Sequence, residues 1–161
     1  MADWTQAKGA GEMKHQGLLD LSELLRGLQP KVRPGNFVMV STNSETSAGA
    51  LASVEEEEGT SLVLEQHKAD AFRMEYSSVF AWITLTVNSS LDAVGLTAAV
   101  ANTLGSAGIP CNVIAGYHHD HLLVPSDRVD DAMAALSRLS ASVPEEEPPA
   151  GSAESLVTTG H

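Results

Sequence analysis

The chain has 161 residues, 43% of them hydrophobic, with nine basic against twenty-one acidic residues and a net charge of −12. A surface this acidic repels phosphate backbones and anionic headgroups, and no Lys/Arg stripe opposes the trend, which argues against nucleic-acid and membrane partners. No apolar run approaches the roughly 20 residues that cross a bilayer, the start Met1-Ala2-Asp3-Trp4 lacks a signal pattern, and Cys111 is the single cysteine, so a cytoplasmic protein without disulfides or cofactors is expected.

In chain order, 1–14 is Gly/Ala/polar without periodicity and reads as a disordered lead-in. Leu18, Leu21, Leu24, Leu25 and Leu28 share one face of a helix. Asp20 or Ser22 stands near its start, and Gly27 and Pro30 stop it. Pro34-Gly35 predicts a turn, followed by the strand Phe37-Val38-Met39-Val40. An acidic Ser/Glu segment over 42–59, ending in Glu55-Glu56-Glu57-Glu58, reads as a solvated loop or strand edge. Ser61 to Leu64 reads as a strand and Gln66 to Phe72 as a short helix.

The second half opens with strict alternation. Val79, Ala81, Ile83, Leu85 and Val87 point one way, and Phe80, Trp82, Thr84 and Thr86 the other, the mark of a strand with one face in the core. Asn88-Ser89-Ser90 predicts the cap of a helix whose apolar positions are Val94, Ala98, Ala101, Leu104 and Ala107, ended by Gly105 and Gly108. Cys111 to Tyr117 is a strand, His118-His119-Asp120 a turn, and Leu122 to Val124 a further strand closed by Pro125. Ser126 to Leu139 is an amphipathic helix with Val129, Met133, Leu136 and Leu139 on one face. From Ser140 onward, with Glu145-Glu146-Glu147-Pro148-Pro149, the composition is that of a disordered acidic tail.

The halves repeat. Leu62-Val63-Leu64 aligns with Leu122-Leu123-Val124, which also sets Lys68 on Arg128 and Asp70 on Asp130. Phe37 to Val40 resembles Asn112 to Ala115, with the acidic segment as an insertion between the two blocks. The expected architecture is α+β: tandem ferredoxin-like (βαββαβ) repeats over 15–77 and 78–139, antiparallel sheets with helices on one face. Phe80 and Trp82 would then lie on the open sheet face, which needs a cover from the other half or from another subunit.

Three stretches carry a resemblance: Asn88 to Val100, Gly108 to Tyr117, and His119 to Pro125. They are similar to ACT domains, and more narrowly to small proteins of two ACT-like repeats related to the ACT lobes of cytosolic arginine sensors. The first half lacks an equivalent of Ser89-Ser90-Leu91-x-x-Val94-Gly95. The resemblance implies a non-catalytic regulatory protein binding a small molecule, an amino acid above all, where the first strand meets the first helix, with a neighbouring repeat or subunit closing the site. The implied ligand-binding residues are Ser89, Ser90, Asp92, Val94, Gly95, Leu96, Asn112, Gly116, Tyr117, His118 and Asp120, in a homo-oligomer. The residue types suit this chemistry. N–H groups of a helix's first turn attract a carboxylate, Asp92 or Asp120 takes an ammonium or basic side chain, Ser89, Ser90 and Asn112 offer neutral hydrogen bonds, and Gly95 leaves room. Ser89 and Ser90 serve equally as plain caps, and Gly95 as a close-packing position.

His118-His119-Asp120-His121 suggests a metal, but in an extended hairpin His119 and His121 share one face while His118 and Asp120 share the other, and His15, His67 and His161 are isolated. No metal ligand set is assigned. The better reading is that Asp120 orders the turn and one histidine donates to a backbone carbonyl or a ligand. Cys111, within a strand, reads as a small buried hydrophobe. There is no Gly-x-Ser-x-Gly, phosphate loop or dinucleotide fingerprint, and no catalytic residue is assigned. The alternative to a binding protein is a ligand-free dimerising scaffold that presents its open sheet face and acidic loop to other proteins.

Overall fold

The computed structural model describes residues 18–43 and 49–143. The alternation in the middle of the chain builds the strand at the centre of the fold, β4 (Val79–Leu85). Its outer neighbours are β1 (Pro30–Thr42) on one side and β6 (Asp120–Pro125) on the other. β3 (Gly59–Glu65) pairs with β1, β2 (Ala52–Glu56) with β3, and β5 (Asn112–Ala115) with β6. The result is one six-stranded antiparallel sheet in the order β2-β3-β1-β4-β6-β5. The order is symmetric about the β1–β4 seam, so each half supplies the fourth strand of the other's ferredoxin-like unit.

That symmetry corrects one alignment. β3 and β6 occupy equivalent places, as expected, but the counterpart of β5 is β2, and Phe37 to Val40 belongs to β1, the counterpart of β4. Part of the acidic segment is therefore an edge strand rather than loop. Glu55 and Glu56 are exposed on β2, and Glu57 and Glu58 form its turn into β3. Pro34-Gly35 is not a turn between elements either. It lies within β1, where the register with β4 shifts between Arg33 and Phe37, a bulge that Gly35 serves with φ 102°.

Among the described residues, all helices lie on one face. α1 (Leu21–Arg26) is capped by the Asp20 side chain, which accepts from the Glu23 N–H at 2.9 Å. Although it precedes β1, it packs on the second half: Leu24, Leu25 and Leu28 share a core with Val100 and Leu104 of α3 (Leu96–Ser106) and with Ala132 and Leu136 of α4 (Val129–Ala141). Among the described residues no helix stands between β1 and β2, and α2 (Gln66–Ala71) covers Val38, Val40, Leu62 and Leu64 through Ala69. Each Leu buried in this layer contributes about 1.5–3 kcal/mol.

The expected apolar face of α3 is met at Leu104 and is otherwise out of phase. Leu96, Val100 and Leu104 are buried, whereas Val94 lies before the helix and Ala98, Ala101 and Ala107 are exposed. The larger side chains remove more apolar area from water than alanines do, and they set the rotation of the helix. Gly105 lies inside α3, and Gly108, at φ 65°, follows its end. α4 runs through Ala141, and Val143 packs on the core, so the described fold extends past Ser140. The lead-in 1–14 and the acidic run Glu145–Glu147 lie outside the described residues.

On the opposite face the sheet curls on itself. Phe37, Val63, Trp82 and Leu123 form a second core, flanked by Leu51, Ala52, Phe80 and Ile114. Trp82 is only 4% exposed within the single chain. The cover that its face requires comes from the other half. The curl brings opposite sheet edges together around a groove of about 360 Å³, with Val54 of β2 on one wall and Val113 of β5 on the other.

Candidate functional site

The loop Thr86–Gly95 leaves β4 and enters α3, and beside it stands the turn Gly116–His119 that joins β5 to β6. The two are tied where the His119 Nδ1–H donates to the Val87 carbonyl oxygen at 3.2 Å. The turn itself is closed by the Gly116 N–H on the His119 carbonyl at 3.1 Å. Gly116 is required by close approach, since a Cβ there would lie 2.6 Å from that same carbonyl oxygen. This is the histidine-to-carbonyl bond that the sequence suggested, although His119 itself was not among the named site residues.

The loop is fastened from its other side by the segment preceding α1. The Leu18 N–H donates to the Asn88 carbonyl and the Ser90 N–H to the Leu18 carbonyl, both at 3.1 Å, and Leu18 forms a parallel bridge with Ser89. Ser90 does not cap the helix. Its hydroxyl accepts from the Asp92 N–H at 3.2 Å and shapes the turn within the loop. The cap residue of α3 is Gly95, in the left-handed region at φ 104°, and no side chain caps its first-turn N–H groups. The room beside Gly95 is already filled: a Cβ there would stand 3.0 Å from Leu21 Cδ2. The glycine allows this close packing of Leu21 against the start of α3.

Asp120 begins β6 opposite Ala115, two residues before buried Leu122 and so on the helix side of the sheet. Its carboxyl is half-buried, and burial pushes it above its ordinary value, with His121 and then His119 drawing it back. Among the described residues its side chain makes no hydrogen bond or ion pair, so the expectation that Asp120 orders the turn is not met; backbone pairing does that. Tyr117 packs edge-on against His118 at 5.1 Å between ring centroids.

Other expected site residues fall elsewhere. Leu96 sends its side chain into the core at 3% exposure and can offer only its backbone N–H, while Val94 is 82% exposed. Asn112 pairs with Leu123 at the far end of β5 and lies on the sheet face away from the helices, so it does not join the loop and turn. Among the described residues no group of three or more His, Cys, Asp and Glu is placed to hold a metal. Cys111 is half-buried against the helix-side core, and burial raises its thiol. Leu18, Leu21 and His119 were not legible as site residues. The turn composition around His119 was the one available signal, and the other two act across long sequence separations.

Comparison with known proteins accords with this geometry. Family profiles described as ACT domain match residues 16–81 and 77–138. Among solved structures, a Vibrio cholerae protein described as of unknown function and a possible transport protein is 41% identical at a TM-score of 0.69, covering 74% of this chain and 95% of its own. An Agrobacterium tumefaciens protein shares the fold at 18% identity and a TM-score of 0.57, covering 70% of this chain and 89% of its own. So does the ligand-free regulatory subunit of aspartate kinase from Thermus thermophilus, at 8% identity and 0.53, covering 68% and 95%. A search of curated proteins finds no significant match.

Proposed function

The chain belongs to the ACT-domain family, with two such domains in tandem, and on that premise we propose that it is a non-catalytic regulatory protein that binds an amino acid between the Thr86–Gly95 loop and the Gly116–Asp120 turn. The observation that carries this reading is Asp120: a half-buried carboxylate with no hydrogen-bond partner among the described residues, on the hairpin that His119 ties to the loop entering α3. An α-ammonium group supplies the missing partner, and the uncapped N–H groups of α3 suit an α-carboxylate.

Apolar side chains around the site support a homo-oligomer in which a second copy closes it. Leu91 is 68%, Val94 82% and Tyr117 60% exposed, in the loop and turn themselves. A thermal-shift screen against the twenty amino acids tests the reading. A ligand at a hundred times its Kd adds about 2.7 kcal/mol of stability, and Asp120→Asn removes about 1.5–3 kcal/mol of its binding. A hit whose affinity is unchanged in Asp120→Asn places the site elsewhere. No hit, with a dimer that Val94→Glu dissociates, favours the ligand-free scaffold.

A further inference from the structure

On the sheet face away from the helices, Arg33 lies over two aromatic rings at once. Its guanidinium carbon is 5.4 Å from the Trp82 ring centroid and 5.6 Å from that of Phe37. The two rings meet edge-on at 5.4 Å, and His121 lies against Trp82 at 5.2 Å. Register places Arg33 opposite Trp82, and Lys31 opposite Thr84, which in turn pairs with His121. Lys31 and Arg33 are two residues apart on one strand, so both project from this face. Thr84 Oγ1 is 3.1 Å from His121 Nδ1 and fixes that ring.

This cluster stands out against the charge of the chain. With twenty-one acidic and nine basic residues, a carboxylate is the expected neighbour of any cation. Yet among the described residues neither Lys31 nor Arg33 makes an ion pair. Two carboxylates on the same face are engaged elsewhere: Glu65 lies 3.4 Å from Lys68 Nζ and 3.7 Å from His67 Nε2, and Glu56 accepts from Ser61 Oγ. A guanidinium held on an aromatic platform keeps its N–H fork free and pre-oriented, the geometry that grips a carboxylate or phosphate in bidentate fashion. Lys31 adds a second positive charge about 7 Å along the strand, and Thr84 adds a hydroxyl.

We propose that this face carries a second binding site, separate from the loop and turn, for the carboxylate or phosphate group of a small molecule, with Arg33 as the principal contact and Lys31 and Thr84 beside it.

The full chain with Trp4→Phe leaves Trp82 as its one indole, so Trp82 fluorescence reports on the site. Titration with malonate and, separately, with inorganic phosphate at constant ionic strength should give a saturable change that chloride does not. The better of the two probes identifies the ligand's anionic group. Arg33→Gln should weaken binding about tenfold or more. Arg33→Lys should weaken it nearly as much, because the charge stays but the fork is lost; this separates bidentate contact from general attraction. Circular dichroism checks that both variants stay folded. Asp120→Asn should leave the titration unchanged, so the site stands or falls independently of the amino-acid site. No saturable change with either anion, or an equal response in folded Arg33→Gln, overturns the proposal. It is overturned equally if binding emerges only after Glu145, Glu146 and Glu147 are changed to Gln, since the chain's own acidic run would then be the occupant.

Discussion

His119 and Val87 are thirty-two residues apart, yet a single bond from the imidazole Nδ1–H to the Val87 carbonyl oxygen, at 3.2 Å, joins the β5–β6 turn to the loop that starts α3. The part-buried carbonyl it satisfies belongs to a residue that is only 5% exposed. His119→Ala should cost about 0.5–1.5 kcal/mol of stability. Amide exchange should quicken first in the turn and in residues 86–95, not in β1 or β3. Uniform loss of protection would mean that the bond is not what holds the two together.

Gly95 and Leu21 are coupled in a different way. A Cβ at Gly95 meets Leu21 Cδ2 at 3.0 Å, and the backbone stands at φ 104°. Gly95→Ala should therefore destabilise by about 1–2 kcal/mol from the left-handed backbone alone, with a further steric part. Leu21→Ala removes the steric part only, so the double variant should show a favourable coupling between the two changes in a double-mutant cycle. Strict additivity in urea denaturation would show that the contact carries no strain.

Trp82 is an internal residue of the single chain, packed among Phe37, Val63 and Leu123. Trp82→Ala should cost about 3–5 kcal/mol, and Trp82→Glu should abolish cooperative unfolding rather than yield a folded monomer. Sedimentation together with circular dichroism checks this. A folded, stable Trp82→Glu chain would mean that the face is open, as its sequence suggested.

Two groups make stability depend on pH in opposite senses. Burial raises Asp120 above its ordinary 3.8, so the folded state holds this proton more tightly, and stability falls as pH rises from that value through the raised one. Burial, aided by His119 and Arg33 and opposed by Asp120, lowers His121 below its ordinary 6.5. The unfolded chain then binds that proton first, and stability falls as pH drops below 6.5. Asp120→Asn should flatten the first limb and raise stability near neutrality, and His121→Gln should flatten the second. Unfolding midpoints between pH 3.5 and 8 measure both, and limbs that the substitutions leave unchanged would assign them to other groups.

Much of the fold was legible in local pattern. Alternation in 79–87 identifies β4 and sorts Ala81, Ile83 and Leu85 from Phe80 and Trp82, and those two sets do enter different cores. The matching blocks at Leu62–Leu64 and Leu122–Val124 mark equivalent strands, because a buried strand in the same place needs the same apolar run. Asp20 as a helix cap follows from a side chain that bonds the backbone a few residues on.

Contacts between distant segments decided the rest. That α1 packs on the second half, that β2 and not β1 matches β5, and that the curl of the sheet buries Trp82 all depend on pairings whose energy no short window of residues contains. At the candidate site the same division holds. Asp120, Gly116 and the loop were marked by residue type, since each needs a particular backbone or charge. The bond from His119 to Val87, the filling of Gly95's space by Leu21, and the removal of Asn112 to the other face were set by tertiary packing. Strand parity and chain crossing, not composition, determine which side chains meet.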